Sequence, residues 1–251
     1  MPAVGPRETA AVLRVLASGQ LSRFGGDRDS VTGRLETALE RYTGAGHALA
    51  VNSGTSALMA ALAAAGVGPG DEVLVPAYTW VSTAAAPLAL GAVPVLVEID
   101  ESLTMDPVDL AAKITPATKA VVPVHMLNLV ADMEAILKVA EQHDLVVVED
   151  ACQAIGARYR GRSVGTIGHA GAFSFNQAKN VTSGEGGAVV TDDDRIAVRA
   201  SMFHDVGSYT RAGWAPTDEP LFVGLNLRMN ELSSAVLLPQ LSRLDAQMAR
   251  V

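Results

Sequence analysis

Short runs of β-branched and apolar residues alternate along this chain with longer amphipathic stretches. Five of the short runs read as strands, over 48–52, 72–76, 93–97, 120–124 and 145–149. Between them the spacing predicts helices over 56–65, 81–90, 107–114 and 133–142. Ahead of them, Val12, Leu13, Val15 and Leu16 predict a helix over 7–18. A Gly-rich turn at 24–26 follows, then a second helix over 31–42. Strands alternating with helices in this way predict an α/β sandwich on a mostly parallel sheet. Two later apolar runs, 171–175 and 187–191, flank a polar loop and predict a hairpin-like pair. A long helix is expected from Asn230 to near the end, with Pro239 kinking it or shifting its start.

Composition narrows the picture. With 251 residues, 49% of them hydrophobic, the chain is long enough for one large domain and a fragment of a second. The net charge is −8 and no run of Lys or Arg occurs, which argues against nucleic acid or an anionic membrane as partner. The first residues hold no uninterrupted apolar stretch of signal-peptide type, and no apolar run approaches the ~20 residues of a membrane span. A single cysteine, Cys152, allows no intrachain disulfide, and a reducing, cytoplasmic setting is expected. No metal site is expected.

Four places could carry chemistry, and each has a plain alternative. Of four lysines, Lys113, Lys119 and Lys138 fall at ordinary solvated positions. Lys179 instead sits in the polar loop between the two late strands, where α/β proteins place reactive groups; the alternative is a surface loop lysine. Asp150 ends a buried strand in EDACQA and is either a carboxylate facing a crevice or a helix N-cap. The turn Asn52-Ser53-Gly54-Thr55-Ser56 joins a strand to a helix, and is either a phosphate cradle or a capped turn. Trp80 follows a strand end and either stacks on a flat ring or belongs to the core. Taken in chain order, with Ser174 beside the lysine loop, these residues supply the parts of a pyridoxal-phosphate site: a cradle, a stacking ring, an acid for the ring nitrogen and an amine.

The motifs NSGTSAL, GPGDEVLVPAYTWVSTAAA, GAVPVLVEID, VVPVHM, VVEDACQAIGA, FSFNQAKN, GEGGAVVT and GLNLRMNELSSAVL resemble the DegT/StrS family of sugar aminotransferases. The resemblance runs across essentially the whole chain. It implies the large domain of a fold-type I pyridoxal-phosphate transferase, three layers α/β/α, with an N-terminal arm and helix over 1–30 and the cofactor domain over 31–251. It also implies that Lys179 holds the cofactor as a Schiff base and moves protons, and that Asp150 pairs with the ring nitrogen. Trp80 would stack on the ring, and Gln153 would lie near it. Gly54, Thr55 and Ser174 would hold the phosphate, with Asn226 supplied from a neighbouring subunit. A homodimer with shared sites follows, together with an amino donor, glutamate by family habit, and an acceptor that is a keto sugar, nucleotide-linked or not, or a keto cyclitol. Lys179 itself argues against the dehydratase branch, which carries His at that place.

Two departures from the family pattern stand out. Relatives continue for a further stretch that builds a C-terminal small domain, so that domain is expected to be mostly absent here. Truncation, a second polypeptide that completes the enzyme, or a catalytically silent subunit would each account for it. Relatives also carry Gly near Asn128 or Leu129, in a loop beside the substrate.

Overall fold

The computed structural model describes residues 4–23, 28–208 and 218–249; the Gly-rich turn expected at 24–26 lies outside them. Helix α1 (Pro6–Ser18) and helix α2 (Val31–Thr43) lead into strand β1 (His47–Val51) and helix α3 (Gly54–Ala64). Then come β2 (Glu72–Pro76), α4 (Ser82–Ala89), β3 (Val93–Val97), α5 (Pro107–Lys113), β4 (Thr118–Val121), α6 (Met133–Gln142) and β5 (Val146–Asp150). A small hairpin, β6 (Arg158–Tyr159) with β7 (Arg162–Ser163), precedes β8 (Ala170–Ser174) and β9 (Gly187–Thr191). Helices α7 (Asp194–His204), α8 (Glu231–Leu241) and α9 (Leu244–Met248) complete the order.

Seven strands form one sheet in the order β1-β9-β8-β5-β4-β2-β3. From β8 through β5, β4 and β2 to β3 every pairing is parallel, whereas β9 runs antiparallel to both neighbours, β8 and β1. The sheet is therefore mixed but mostly parallel, as the alternating pattern predicts, and β8 and β9 are the expected hairpin-like pair.

Side-chain alternation divides the inner strands between two faces. Leu49, Val51, Val73, Val75, Val148, Ala170 and Ala172 face one way, and pack with α3, with Ala86 of α4 and with Ile196, Ala200 and Phe203 of α7. Ala48, Ala50, Phe173 and Val190 face the other way, onto Leu35 and Leu39 of α2 and Leu237 and Leu241 of α8. Toward the β3 edge that second face is covered by Leu110 of α5 and by Met133 and Ile136 of α6. Three layers result.

Helix entrances follow local chemistry. Ser30, Ser53, Asp106, Asp132, Asp193 and Asn230 each cap a helix, their side-chain oxygens accepting a first-turn amide hydrogen bond. Three expectations need correction. The chain does not close on one long helix: α8 ends at Leu241, two residues past Pro239, whose ring nitrogen has no proton for the carbonyl of Ala235, and the separate α9 starts at Leu244. Helix α7 and the β6–β7 hairpin are additions to the predicted elements. Strand β4 ends at Val121, three residues early.

Candidate functional site

The same alternation sets up the site. Asp150 shares a face with Val148 and Ser174 shares one with Ala172, so both point toward the α3 side at the carboxyl ends of their strands. Glu149 takes the opposite face. There it is fully buried, accepting hydrogen bonds from Nε2 of His125 (2.9 Å) and from the amides of Gly165 (2.8 Å), Ile167 (2.6 Å) and Gly168 (2.7 Å). Of two adjacent acids, one anchors a loop and the other is left for the cavity.

That cavity has a volume of about 260 Å³, and Asp150, Cys152, Gln153, Ser174 and Lys179 are among its lining, with Trp80 and the Ser53–Thr55 turn. Asp150 is almost wholly buried, and its carboxylate accepts from the Thr83 hydroxyl at 2.7 Å and from the Cys152 amide at 3.1 Å. No helix follows Asp150, so its alternative reading as a helix N-cap falls; its side chain closes a turn two residues on. Burial pushes the Cys152 thiol well above the ordinary thiol range; the negative Asp150 raises it further, while Lys179 pulls it down.

The cradle is a helix start. Helix α3 begins at Gly54, two residues before the expected Ser56, which makes the amides of Gly54 and Thr55 part of its free first turn. Ser53 accepts from the Ser56 amide at 3.0 Å and Thr55 donates to Ser82 at 2.9 Å, so the turn is capped as well as polar. A Cβ on Gly54 would lie 2.7 Å from Ser174 Cβ and 2.9 Å from Cys152 Sγ, so only glycine lets the turn settle against β8. Gly187 does the same on β9, where a Cβ would meet the Ser53 carbonyl oxygen at 2.3 Å.

Lys179 is half-buried at the cavity wall, its amide donating to the Asn176 carbonyl at 2.9 Å. Its loop is held from below by Gln240 of α8, which accepts from the Thr182 amide (3.1 Å) and donates to the Thr182 carbonyl (2.7 Å). Trp80 is 67% exposed, so it is no core residue. Gln153 donates to Met126 Sδ at 3.2 Å, which ties the cavity to the loop after β4. In that loop Leu127 and Asn128 both have left-handed backbone, at φ 50° and 67°. Asparagine tolerates this region better than most side chains, and glycine better still.

Seven of the eight predicted residues, all but Asn226, line one cavity. Asn226 is exposed and bridges Asp205 instead. Sequence reasoning passed over Thr83, Ser82, Asn176 and Glu185; Thr83 stood within the quoted GPGDEVLVPAYTWVSTAAA motif, but nothing local ties it to Asp150. A larger cavity, about 590 Å³, lies between α1, α2 and α8. Its Glu231 is committed to the Val31 and Thr32 amides at the start of α2, and its Arg23 to Glu36. Among the described residues no helix is long and apolar enough to cross a membrane, and no cluster of three or more His, Cys, Asp or Glu is placed to hold a metal ion.

The model of the DegT/DnrJ/EryC1/StrS aminotransferase family matches residues 2–251. GDP-perosamine synthase of Caulobacter vibrioides is 44% identical over 216 residues, which is 85% of this chain and 57% of that protein. The crystal structure of 3-amino-5-hydroxybenzoic acid synthase superposes with a TM-score of 0.91 at 41% identity, covering 99% of this chain and 64% of that one. A Bacillus subtilis protein, NtdA, solved with bound cofactor PMP, superposes with a TM-score of 0.85 at 31% identity, covering 97% of this chain and 55% of that one. This chain thus spans less than two thirds of the length of each.

Proposed function

Because the chain belongs to the DegT/DnrJ/EryC1/StrS aminotransferase family, we propose that it carries the cofactor site of a pyridoxal-phosphate aminotransferase whose amino acceptor is a keto sugar or keto cyclitol. The observation that carries this is the meeting of Lys179 and Asp150 in one cavity that also holds Trp80 and the start of α3.

The residues fit the cofactor on their own chemistry. About 260 Å³ corresponds to roughly nine waters at ~30 Å³ each, room for an aromatic ring with a phosphate arm. When bound, pyridoxal phosphate supplies an aldehyde for amine exchange and a ring that withdraws electrons from the carbon bearing the transferred nitrogen. Lys179 would hold the cofactor through its amine and, when free, would serve as the base that carries protons at the site. Asp150 keeps a proton on the ring nitrogen. The Gly54 and Thr55 amides, with the Ser174 hydroxyl and that of Thr55 once it turns from Ser82, hold the phosphate at the positive end of α3. The Trp80 indole covers one ring face and excludes water there, with Gln153 beside the ring. Asn226 reaches the phosphate of a second copy, so the working form is a homodimer with shared sites. Glutamate is the donor, and the reaction runs in the cytoplasm.

The test is spectroscopic. Purified with pyridoxal phosphate, the protein absorbs near ~420 nm, as imines of this cofactor do, and glutamate bleaches the band. Lys179→Ala abolishes it. A band that survives in that variant places the attachment elsewhere and removes the reading; a band that glutamate leaves unchanged points to a subunit without turnover.

A further inference from the structure

Asp150 is held by more than its strand. Its Oδ2 accepts from Thr83 Oγ1 at 2.7 Å, and Thr83 Oγ1 lies 2.7 Å from Thr79 Oγ1. Thr83 and Asp150 are 1% and 4% exposed, and Thr79 is half-buried. The direction of this chain of hydroxyls follows from proton counting. An ionised carboxylate only accepts, so Thr83 spends its single proton on Asp150, and the contact with Thr79 requires Thr79 to donate. The other oxygen, Oδ1, accepts from the Cys152 amide at 3.1 Å. With a donor on each oxygen the plane of the carboxylate is set, and lone pairs remain on both oxygens for the cavity that Asp150 borders.

The two threonines come from different elements than the acid they serve. Thr79 lies in the loop after β2, Thr83 in the first turn of α4, and Asp150 at the end of β5, with β4 between β2 and β5 in the sheet. A buried hydroxyl placed only for packing needs one partner, and the local choice for a first-turn threonine is a nearby backbone carbonyl. Thr83 instead reaches across to a carboxylate 67 residues away.

We propose that Thr79 and Thr83 form a hydroxyl relay that positions Asp150 against the ring nitrogen of the cofactor, Thr83 being the positioning residue and Thr79 its support. This rests on the reading of Asp150 given above. The relay fixes the carboxylate where it meets the ring N–H and makes it a directed acceptor. Without it the side chain is free to turn toward Cys152, and the proton on the ring nitrogen loses its partner.

The experiment uses the protein loaded with pyridoxal phosphate labelled with nitrogen-15 in the ring, whose resonance reports whether that nitrogen carries a proton. Thr83→Val keeps the volume and removes the hydroxyl, Thr83→Ser restores the hydroxyl, and Asp150→Asn serves as the reference for a lost charge. In Thr83→Val the resonance moves from the protonated toward the unprotonated position, part of the way to that of Asp150→Asn. The glutamate half-reaction slows about tenfold, the size of one hydrogen bond to a charged acceptor. Thr83→Ser recovers both. A wild-type resonance and rate in Thr83→Val, with Asp150→Asn shifted, overturns the relay while leaving Asp150 in its role. An unshifted Asp150→Asn overturns both. If Thr83→Val fails to fold, Thr79→Ala replaces it: a smaller shift in the same direction supports the relay, and none overturns it.

Discussion

Replacing Glu149 with Gln tests whether the strand's alternation, and with it the placement of Asp150, is held by this buried acid. Glu149 and His125 are both fully buried. Oε2 accepts from His125 Nε2 and the Gly165 amide, and Oε1 from the amides of Ile167 and Gly168, all between 2.6 and 2.9 Å. The histidine has no freedom to adapt, because its Nδ1 accepts from the Ala131 amide at 3.2 Å and its proton therefore sits on Nε2. A glutamine amide has one oxygen and one NH2 group, so in either orientation the NH2 faces two donors and two hydrogen bonds are lost. At about 1.5–3 kcal/mol for each bond to a charged acceptor, the loss comes to about 3–6 kcal/mol. Urea unfolding followed by circular dichroism reads it directly. With a slope of roughly 3 kcal/mol/M the midpoint falls by more than about 1 M. A midpoint within about 0.3 M of wild type, at an unchanged slope, would refute the four-bond account of Glu149.

Two further outcomes follow from the same structure. Asn128→Ala places an ordinary side chain at φ 67° and destabilises by about 1 kcal/mol, whereas Asn128→Gly does not, as paired denaturation curves will resolve; equal curves would mean that the backbone there is not held left-handed. Burial and the charge of Asp150 both disfavour the thiolate of the half-buried Cys152, so a disulfide reagent at about pH 8 titrates it in the native protein more slowly than in the denatured chain; equal rates in the two states would contradict the raised thiol.

Gln240 of α8 grips both backbone groups of Thr182, and Asn180, next to the lysine, donates to Met248 Sδ of α9 at 3.2 Å. Whatever moves these two helices therefore moves the loop that carries the amine.

Much of this protein is written locally. Period-two runs and Asp, Ser or Asn caps mark strands and helix entrances, because strand alternation and first-turn capping act over a few residues. The adjacency of Glu149 and Asp150 already implies that one faces each side of the sheet. Where local signals are weak or compete, sequence reasoning missed α7, whose Asp193 cap and spaced Ile196, Ala200 and Phe203 went unread, and at Pro239 it expected a kink or a shifted start where the helix instead ends two residues later. The strand order, the reversed direction of β9 and the convergence of Gly54, Asp150, Ser174 and Lys179 on one cavity were decided only by the tertiary structure. These depend on which strands pair across long stretches of chain, a choice made by the burial of both sheet faces together rather than by any segment's own preference. The Thr83–Asp150 bond belongs to that second class: each residue is ordinary in its own segment, and only the packing of α4 against the end of β5 makes them partners.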